Sequence, residues 1–361
     1  MRLQLPKTAS WRVMACTAPE ATIELAGVTH VVLSGGGIRG LCYLGMLKAI
    51  EDALRARGSS YAHFVDGLEV CVGTSIGALV ALLLALELPV AALHFVQRPD
   101  GTVASDMLPE MCGDVFRQRA LDDGESLVHM AQTLLRQRHF STSITLKELH
   151  RCTGKRLVCV ATDVGRLVAV YLDANTAPTM AVADAVAASM RVPLLYAPHE
   201  VGDRVLADGC LMDNFPLSAC AGVDPARVLA LRTRPCERRT ATRASARMYV
   251  CRCIMCPQVA LEAAQLGLQS EQMRARVVTA PTGAVLGPEF DADRGTCAAL
   301  WWSGVYTIYR RVDPVRGTAV MAVVHLLWGV VGLMTILRER RCVEHAVRRM
   351  RRAAERVQPV K

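Results

Sequence analysis

The hydrophobic pattern breaks the chain into short apolar runs that stop at glycine turns. Val28, Val31, Val32 and Leu33 form the first run, followed by Ser34-Gly35-Gly36-Gly37-Ile38-Arg39-Gly40. Leu68, Val70, Cys71 and Val72 form the second, followed by Gly73-Thr74-Ser75-Ile76-Gly77. Each turn opens into a helical stretch. After the first, Leu41, Leu44, Leu47, Ile50 and Leu54 recur at helical spacing, with Gly58 past the end. After the second, Ile76–Leu88 is almost wholly apolar. Its thirteen residues are too few to span a bilayer, so it predicts a buried core helix closed by Pro89. Strand, tight glycine turn and helix, used twice in succession, predict an α/β fold.

Residues 90–150 read as helical and variable. Pro99-Asp100-Gly101 marks a loop, and Asp122-Asp123-Gly124 a turn before a helix carrying Leu127, Met130, Leu134 and Leu135. Ser141–His150 reads as a Ser/Thr-rich turn and a short helix. Leu157–Ala161 and Leu167–Leu172 are β-rich runs joined by Asp163-Val164-Gly165-Arg166, a hairpin signal. Ala181–Met190 predicts a helix of small residues that stops before Pro193. Val201–Leu206 reads as one strand with Gly202-Asp203 at its start, delivering Asp208-Gly209-Cys210 at its C-terminal end. In open α/β sheets that end is where sites assemble. Val228–Leu231 and Val277–Ala280 predict further strands, 248–270 an amphipathic helix, and Trp301–Tyr309 the last helix before Pro314 and Gly317 break the pattern.

This divides the chain into an extension at 1–21, an α/β domain at 22–312, a linker at 313–317, an apolar run at 318–337 and a basic tail at 338–361. Thr318–Leu337 carries no formal charge over twenty residues and is flanked by arginines on both sides. It is long enough to cross a bilayer. A buried core helix is the alternative, but such a helix usually shows a polar face, and its absence favours a transmembrane span.

Composition agrees with a large apolar interior. Of 361 residues 52% are hydrophobic, and mean hydropathy is +0.26. The net charge of +9 is unevenly placed. Seven arginines face only Glu237 between Arg232 and Arg252, and eight arginines and one lysine face three glutamates between Arg338 and Lys361. Such segments suit anionic lipid headgroups, or are solvated faces of an arginine-biased chain. No aromatic residue interleaves with the tail charges, so nucleic acid is not expected as a partner. The fourteen cysteines do not read as a disulfide set. Cys42, Cys71 and Cys159 lie inside apolar runs, and 1–27 carries no apolar signal segment, so a reducing compartment is expected. Cys251, Cys253 and Cys256 lack a fourth ligand before Cys297, so no metal is expected; buried helix cysteines, or acylated ones beside the basic run, are the better readings.

The candidate chemistry centres on Ser75 in G-x-S-x-G, with Gly73 and Gly77 flanking it. This is the pattern of a nucleophile elbow, in which a strained strand-to-helix turn presents a serine hydroxyl. The serine needs a base. Beyond Asp208 the histidines are His325, in the apolar run, and His345, in the basic tail, so a Ser–His–Asp order is disfavoured. A Ser75–Asp208 dyad is the economical solution, with Asp208 on its own turn at Gly209. Gly35, Gly37 and Gly40 also fit a dinucleotide fingerprint, but no acid stands at the end of the second strand, where that reading needs one. As an oxyanion loop the segment works directly, with the N–H groups of Gly36 and Gly37 facing the charge that develops on an ester oxygen. Arg39 either adds positive charge there, or holds a lipid phosphate, or closes the loop through a salt bridge.

In this order, Gly35–Gly40, Gly73–Gly77 and Asp208–Cys210 resemble the three signatures of patatin-like phospholipases. Ser189–Pro198 and Asp208–Pro216 are similar to further segments of that family, and the resemblance spans roughly 22–312. It implies a three-layer α/β/α sandwich around a mostly parallel sheet, without a cofactor. It also implies hydrolysis of acyl esters of glycerolipids or phospholipids, with Ser75 as nucleophile, Asp208 as base and Gly35–Gly37 as oxyanion loop. Cys210 departs from the family pattern, which has Gly or Ala there. The expected protein is membrane-associated, with its active domain on the cytosolic side. The alternatives are a lipid transacylase using the same acyl-serine, and a catalytically silent lipid-binding protein.

Overall fold

A computed structural model describes residues 22–96, 122–235, 246–283, 285, 294–317 and 320–321, with no account of the side chains at 94–96, 246–252, 254 and 294. The expected extension at 1–21, the loop at Pro99-Asp100-Gly101 and the tail at 338–361 lie outside the described residues. So does the apolar run 318–337, apart from Val320 and Met321. Among the described residues no helix is long and apolar enough to cross a membrane.

An eight-stranded sheet forms the centre. Its strands are β1 (His30–Leu33), β2 (Val70–Thr74), β3 (Arg156–Asp163), β4 (Val168–Leu172), β5 (His199–Val201), β6 (Arg204–Asp208), β7 (Val228–Arg234) and β8 (Val277–Pro281). β1, β2, β3, β7 and β8 run parallel, in the order β3-β2-β1-β7-β8. β1 and β2 are buried at every position, which is why they read as unbroken apolar runs rather than alternating ones.

The other three strands are antiparallel additions around β3. Cys159–Asp163 pairs with β4, Arg156–Val160 with β2, and Ala161–Asp163 with β6. A strand has two edges, and β4 overlaps both of the other partners, so β2 and β6 share the edge opposite β4. They meet end to end, Thr74 opposite Val160 and Asp208 opposite Ala161. The expected single strand over Val201–Leu206 is instead a hairpin. Gly202 takes φ +59° and, with Asp203, forms the two-residue turn between Val201 and Arg204.

The helices are α1 (Leu41–Ala56), α2 (Tyr61–Asp66), α3 (Ile76–Ala85), α4 (Glu125–Gln137), α5 (Leu146–Thr153), α6 (Val182–Met190), α7 (Ala246–Leu268), α8 (Glu271–Ala275) and α9 (Arg294–Val312). α5 starts on a capping box: Thr145 Oγ1 accepts the N–H of Glu148, whose carboxylate accepts the N–H of Thr145. The main core joins α1, α3, α4, α6 and α9 to one face of the sheet. A smaller core on the other face joins Val32, Val72, Val160 and Ala230 to Phe215, Leu217, Cys220 and Met273. The three layers are therefore unequal, since the second face is covered by the loop after β6, by α8 and by part of α7.

α1 and α9 cross at two glycines. A Cβ on Gly45 would stand 2.0 Å from the Trp301 carbonyl oxygen, and one on Gly304 2.0 Å from that of Cys42. α9 begins at Arg294, well before the expected Trp301, and Pro314–Gly317 forms a further helical turn where a linker was expected. The two ends of the domain meet, as the Ile23 N–H donates to the Arg311 carbonyl at 2.7 Å.

Candidate active site

The end-to-end meeting of β2 and β6 brings Ser75 and Asp208 together. Ser75 follows the last residue of β2 and takes φ +55°, ψ −129°, a strained conformation for a side-chain-bearing residue, before α3 begins at Ile76. The residues two before and two after it must be glycines. A Cβ on Gly73 would stand 2.2 Å from the backbone of Gly77, and one on Gly77 2.6 Å from the Leu33 carbonyl oxygen. Ser75 Oγ donates to Asp208 Oδ2 at 2.7 Å. The Cys210 N–H donates to Asp208 Oδ1 at 2.8 Å. Gly209 lets this turn lie against β3, where a Cβ would stand 2.2 Å from the Val160 carbonyl oxygen.

Asp208 is fully buried. Loss of solvation pushes its carboxyl up to about 6, and the hydrogen bonds from the Cys210 N–H and Ser75 only partly offset this. A carboxylate of that strength is mostly ionised at neutral pH and still accepts a proton readily. Among the described residues no histidine hydrogen-bonds to Ser75 or Asp208.

The glycine loop divides its roles. The Gly35 N–H donates to the Asn214 carbonyl at 3.0 Å and is thus unavailable to an incoming oxyanion, against the expectation for this residue. Gly35 instead provides clearance, since its Cβ would stand 2.3 Å from Asn214 Oδ1 and 3.3 Å from Ser75 Cβ. No described residue accepts from the N–H groups of Gly36 and Gly37. Gly37 has φ +53°, and a Cβ on Gly40 would collide with Ile76 at 2.4 Å. Arg39 is buried, its Nε donating to the Gly36 carbonyl at 3.2 Å. Among the described residues no carboxylate forms an ion pair with it, so the salt-bridge reading does not hold. Burial pulls its guanidinium below its ordinary pKa, with Tyr43 and Glu262 opposing.

Several residues of the site had no assigned role in the sequence, although they lie in the Ser189–Pro198 and Asp208–Pro216 segments. Ser189, on α6, accepts the Ser75 N–H at 2.8 Å and donates to the Val160 carbonyl, tying the elbow to β3. Asp213 accepts from Tyr171 and Ser218, while its carbonyl accepts from Thr74 Oγ1 at 2.9 Å. Asn214 donates to Glu262 on α7. Their partners lie 29–139 positions away wherever they join separate elements, so no local spacing announces them. Cys253 and Cys256 are free and exposed on α7.

A family model for patatin-like phospholipase matches residues 31–221. The chain belongs to this family. The matched span runs from β1 past Asp208, so it contains all three glycine turns. A curated relative, "Probable lipid hydrolase 463L" of Invertebrate iridescent virus 6, is 24% identical over 188 residues, 52% of this chain and 61% of the relative. An uncharacterized NTE family protein of Mycobacterium tuberculosis is 25% identical over 233 residues, 63% of this chain and 52% of the relative. The chain thus spans between half and two thirds of the length of these relatives. Among solved structures, VipD from Legionella pneumophila aligns with a TM-score of 0.49 and 16% identity, covering 80% of this chain and 67% of that one. ExoU in its Pseudomonas aeruginosa complex with SpcU aligns with a TM-score of 0.42 and 18% identity, covering 80% and 51%.

Proposed function

We propose that this patatin-like protein is a lipid acyl hydrolase that cleaves fatty-acyl esters of glycerolipids or phospholipids through Ser75 and Asp208. The observation that carries this reading is the 2.7 Å hydrogen bond from Ser75 Oγ, held at positive φ, to a desolvated Asp208 carboxylate. Ser75 Oγ attacks the ester carbonyl carbon while Asp208 Oδ2 takes its proton. The N–H groups of Gly36 and Gly37 receive the oxyanion, each such donor being worth about 10²–10³ in rate. As the tetrahedral intermediate collapses, the alcohol leaves with the proton from Asp208. Water then attacks the acyl-serine, again giving its proton to Asp208. The fatty acid departs, and Ser75 Oγ recovers its proton. Family membership and the name of the viral relative, a probable lipid hydrolase, support a lipid ester as substrate.

The uncharged run 318–337 is proposed as a membrane anchor that brings this site to its substrate. Labelling by a fluorophosphonate probe tests the reaction. The wild type is expected to label and to release fatty acid from phospholipid, and Ser75→Ala to do neither. Wild-type protein that stays unlabelled while a reference serine lipase labels removes the reading. Membrane fractionation of a chain truncated at 317 tests the anchor separately, since recovery equal to that of the full chain excludes it.

A further inference from the structure

α7 is inverted. A surface helix normally turns its apolar stripe inward. Here, beside Leu266, which packs on the smaller core, the inward stripe is polar: Gln258, Glu262 and Gln265 lie at i, i+4 and i+7, on one face. Gln258 Nε2 donates to Cys210 Sγ at 3.1 Å, Glu262 accepts from Asn214 and pairs with Arg232 at 3.7 Å, and Gln265 Nε2 donates to Asp213 Oδ1 at 3.3 Å. All three thus reach the loop that follows Asp208. The outward face is apolar, with Val259 47%, Leu261 38% and Leu268 87% exposed, and small residues between them. From Cys253 to Ser270 the one charged residue is Glu262, and it points inward. Exposed Arg274 stands at the C-terminal end of the helix, where it holds the Gln269 carbonyl at 2.7 Å.

We propose that the outer face of α7 is the surface on which this protein docks to a phospholipid layer, which sets the Ser75–Asp208 site against its substrate. The inference rests on the lipid-hydrolase reading for its purpose, but not for its physics. An uncharged apolar helix face with the Arg274 guanidinium at its end suits acyl chains below and phosphates beside them, as an interfacial helix does. Because the inward face of the same helix holds the loop after Asp208, contact with lipid acts directly on the cover of the site.

The test is sedimentation with phosphatidylcholine/phosphatidylglycerol vesicles, using Ser75→Ala both full-length and truncated at 317, so that the vesicles stay intact and the anchor proposed at 318–337 cannot mask the α7 face. Val259→Glu/Leu261→Glu and Leu268→Glu are introduced singly and together, with serine in place of glutamate as a second set in case a glutamate variant does not fold. In the Ser75 background, hydrolysis of a soluble short-chain ester and of vesicle phospholipid is measured alongside. Vesicle binding and vesicle hydrolysis are expected to fall at least about tenfold, since losing one apolar side chain from a buried contact already accounts for that much. Hydrolysis of the soluble ester is expected to stay unchanged. Equal vesicle binding by the truncated Ser75→Ala parent and its α7 variants overturns the proposal. So does a change confined to the oligomeric state in sedimentation velocity, which would make a second copy of the chain the occupant. Absence of ester hydrolysis by the unmutated Ser75 parent refutes the enzyme reading, while the binding arm still reads the docking face.

Discussion

Replacing Asp208 by Asn should inactivate the protein and stabilise its fold. The carboxyl is fully buried, and its rise from an ordinary 3.8 to about 6 is dominated by lost solvation. At about 1.4 kcal/mol per pH unit, that rise corresponds to about 3 kcal/mol lost by the folded state once the group is ionised. The sign follows from proton counts. Between pH 3.8 and about 6 the unfolded chain has released this proton and the folded chain still holds it, so stability falls as pH rises. Above 6 both states have released it and the penalty is constant; below 3.8 both hold it and the penalty is absent. Asn keeps the shape, accepts the Cys210 N–H and donates to Ser75 Oγ, without charge. The variant should therefore match the wild type near pH 3.5 and exceed it by up to about 3 kcal/mol at pH 8, a gain of roughly 5–10 °C in melting temperature. Calorimetric melts of both proteins across this range measure the difference, in which every other titrating group cancels. A variant less stable than the wild type at pH 8, or a gap that does not grow between pH 4 and 7, would show that the folded state does not hold a desolvated carboxylate here.

The same group sets the acid limb of activity. The rate constant kcat/KM for a soluble ester should rise with pH through about 6 and level off above it, since Asp208 accepts a proton only when ionised. Ser189→Ala removes the acceptor of the Ser75 N–H at 2.8 Å and should lower kcat by roughly tenfold with little change in KM, an orphaned buried donor costing about 1–3 kcal/mol. Parallel steady-state kinetics decide this, since an effect on KM alone would refute the positioning role. Gly304→Ala, at the crossing of α1 and α9, should destabilise the fold by about 3 kcal/mol or more in urea melts, because its Cβ would meet the Cys42 carbonyl oxygen at 2.0 Å. Stability within the error of the wild type would mean that the helices do not touch there.

What could be read along the chain was whatever a local pattern dictates. Gly73 and Gly77 are recognisable because the elbow needs them on either side of one residue, and Gly209 because its turn lies against β3. The hairpin between β3 and β4 was legible in Asp163-Val164-Gly165-Arg166 for the same reason. The β5–β6 hairpin was not, because Gly202-Asp203 is flanked by only three residues of β5, and the β pattern continues smoothly into β6. Periodicity correctly indicated an amphipathic helix near 248–270, but it carries no label for which face is inside. The loop over 209–216 decides that by offering Cys210, Asp213 and Asn214 as partners to Gln258, Gln265 and Glu262. Gly45 and Gly304 were silent, since the crossing they permit joins residues far apart in sequence.

The least local feature is also what unites the site. Ser75 and Asp208 are 133 positions apart and belong to strands that never pair with each other. They meet because β4 occupies one edge of β3 and leaves the other to two strands arriving from opposite directions. Each contributes the residue at its C-terminal end. The side-chain period of two in β6 then decides which way the acid points. Leu206 is buried in the helix-side core, so Asp208, two residues on, faces the same layer as Ser189 and α3, while Ala207 faces away. A slip of one residue would bury Ala207 where the carboxylate now stands. The apolar anchor at Leu206 is therefore part of what aims the acid, although it lies outside the Asp208-Gly209-Cys210 signature.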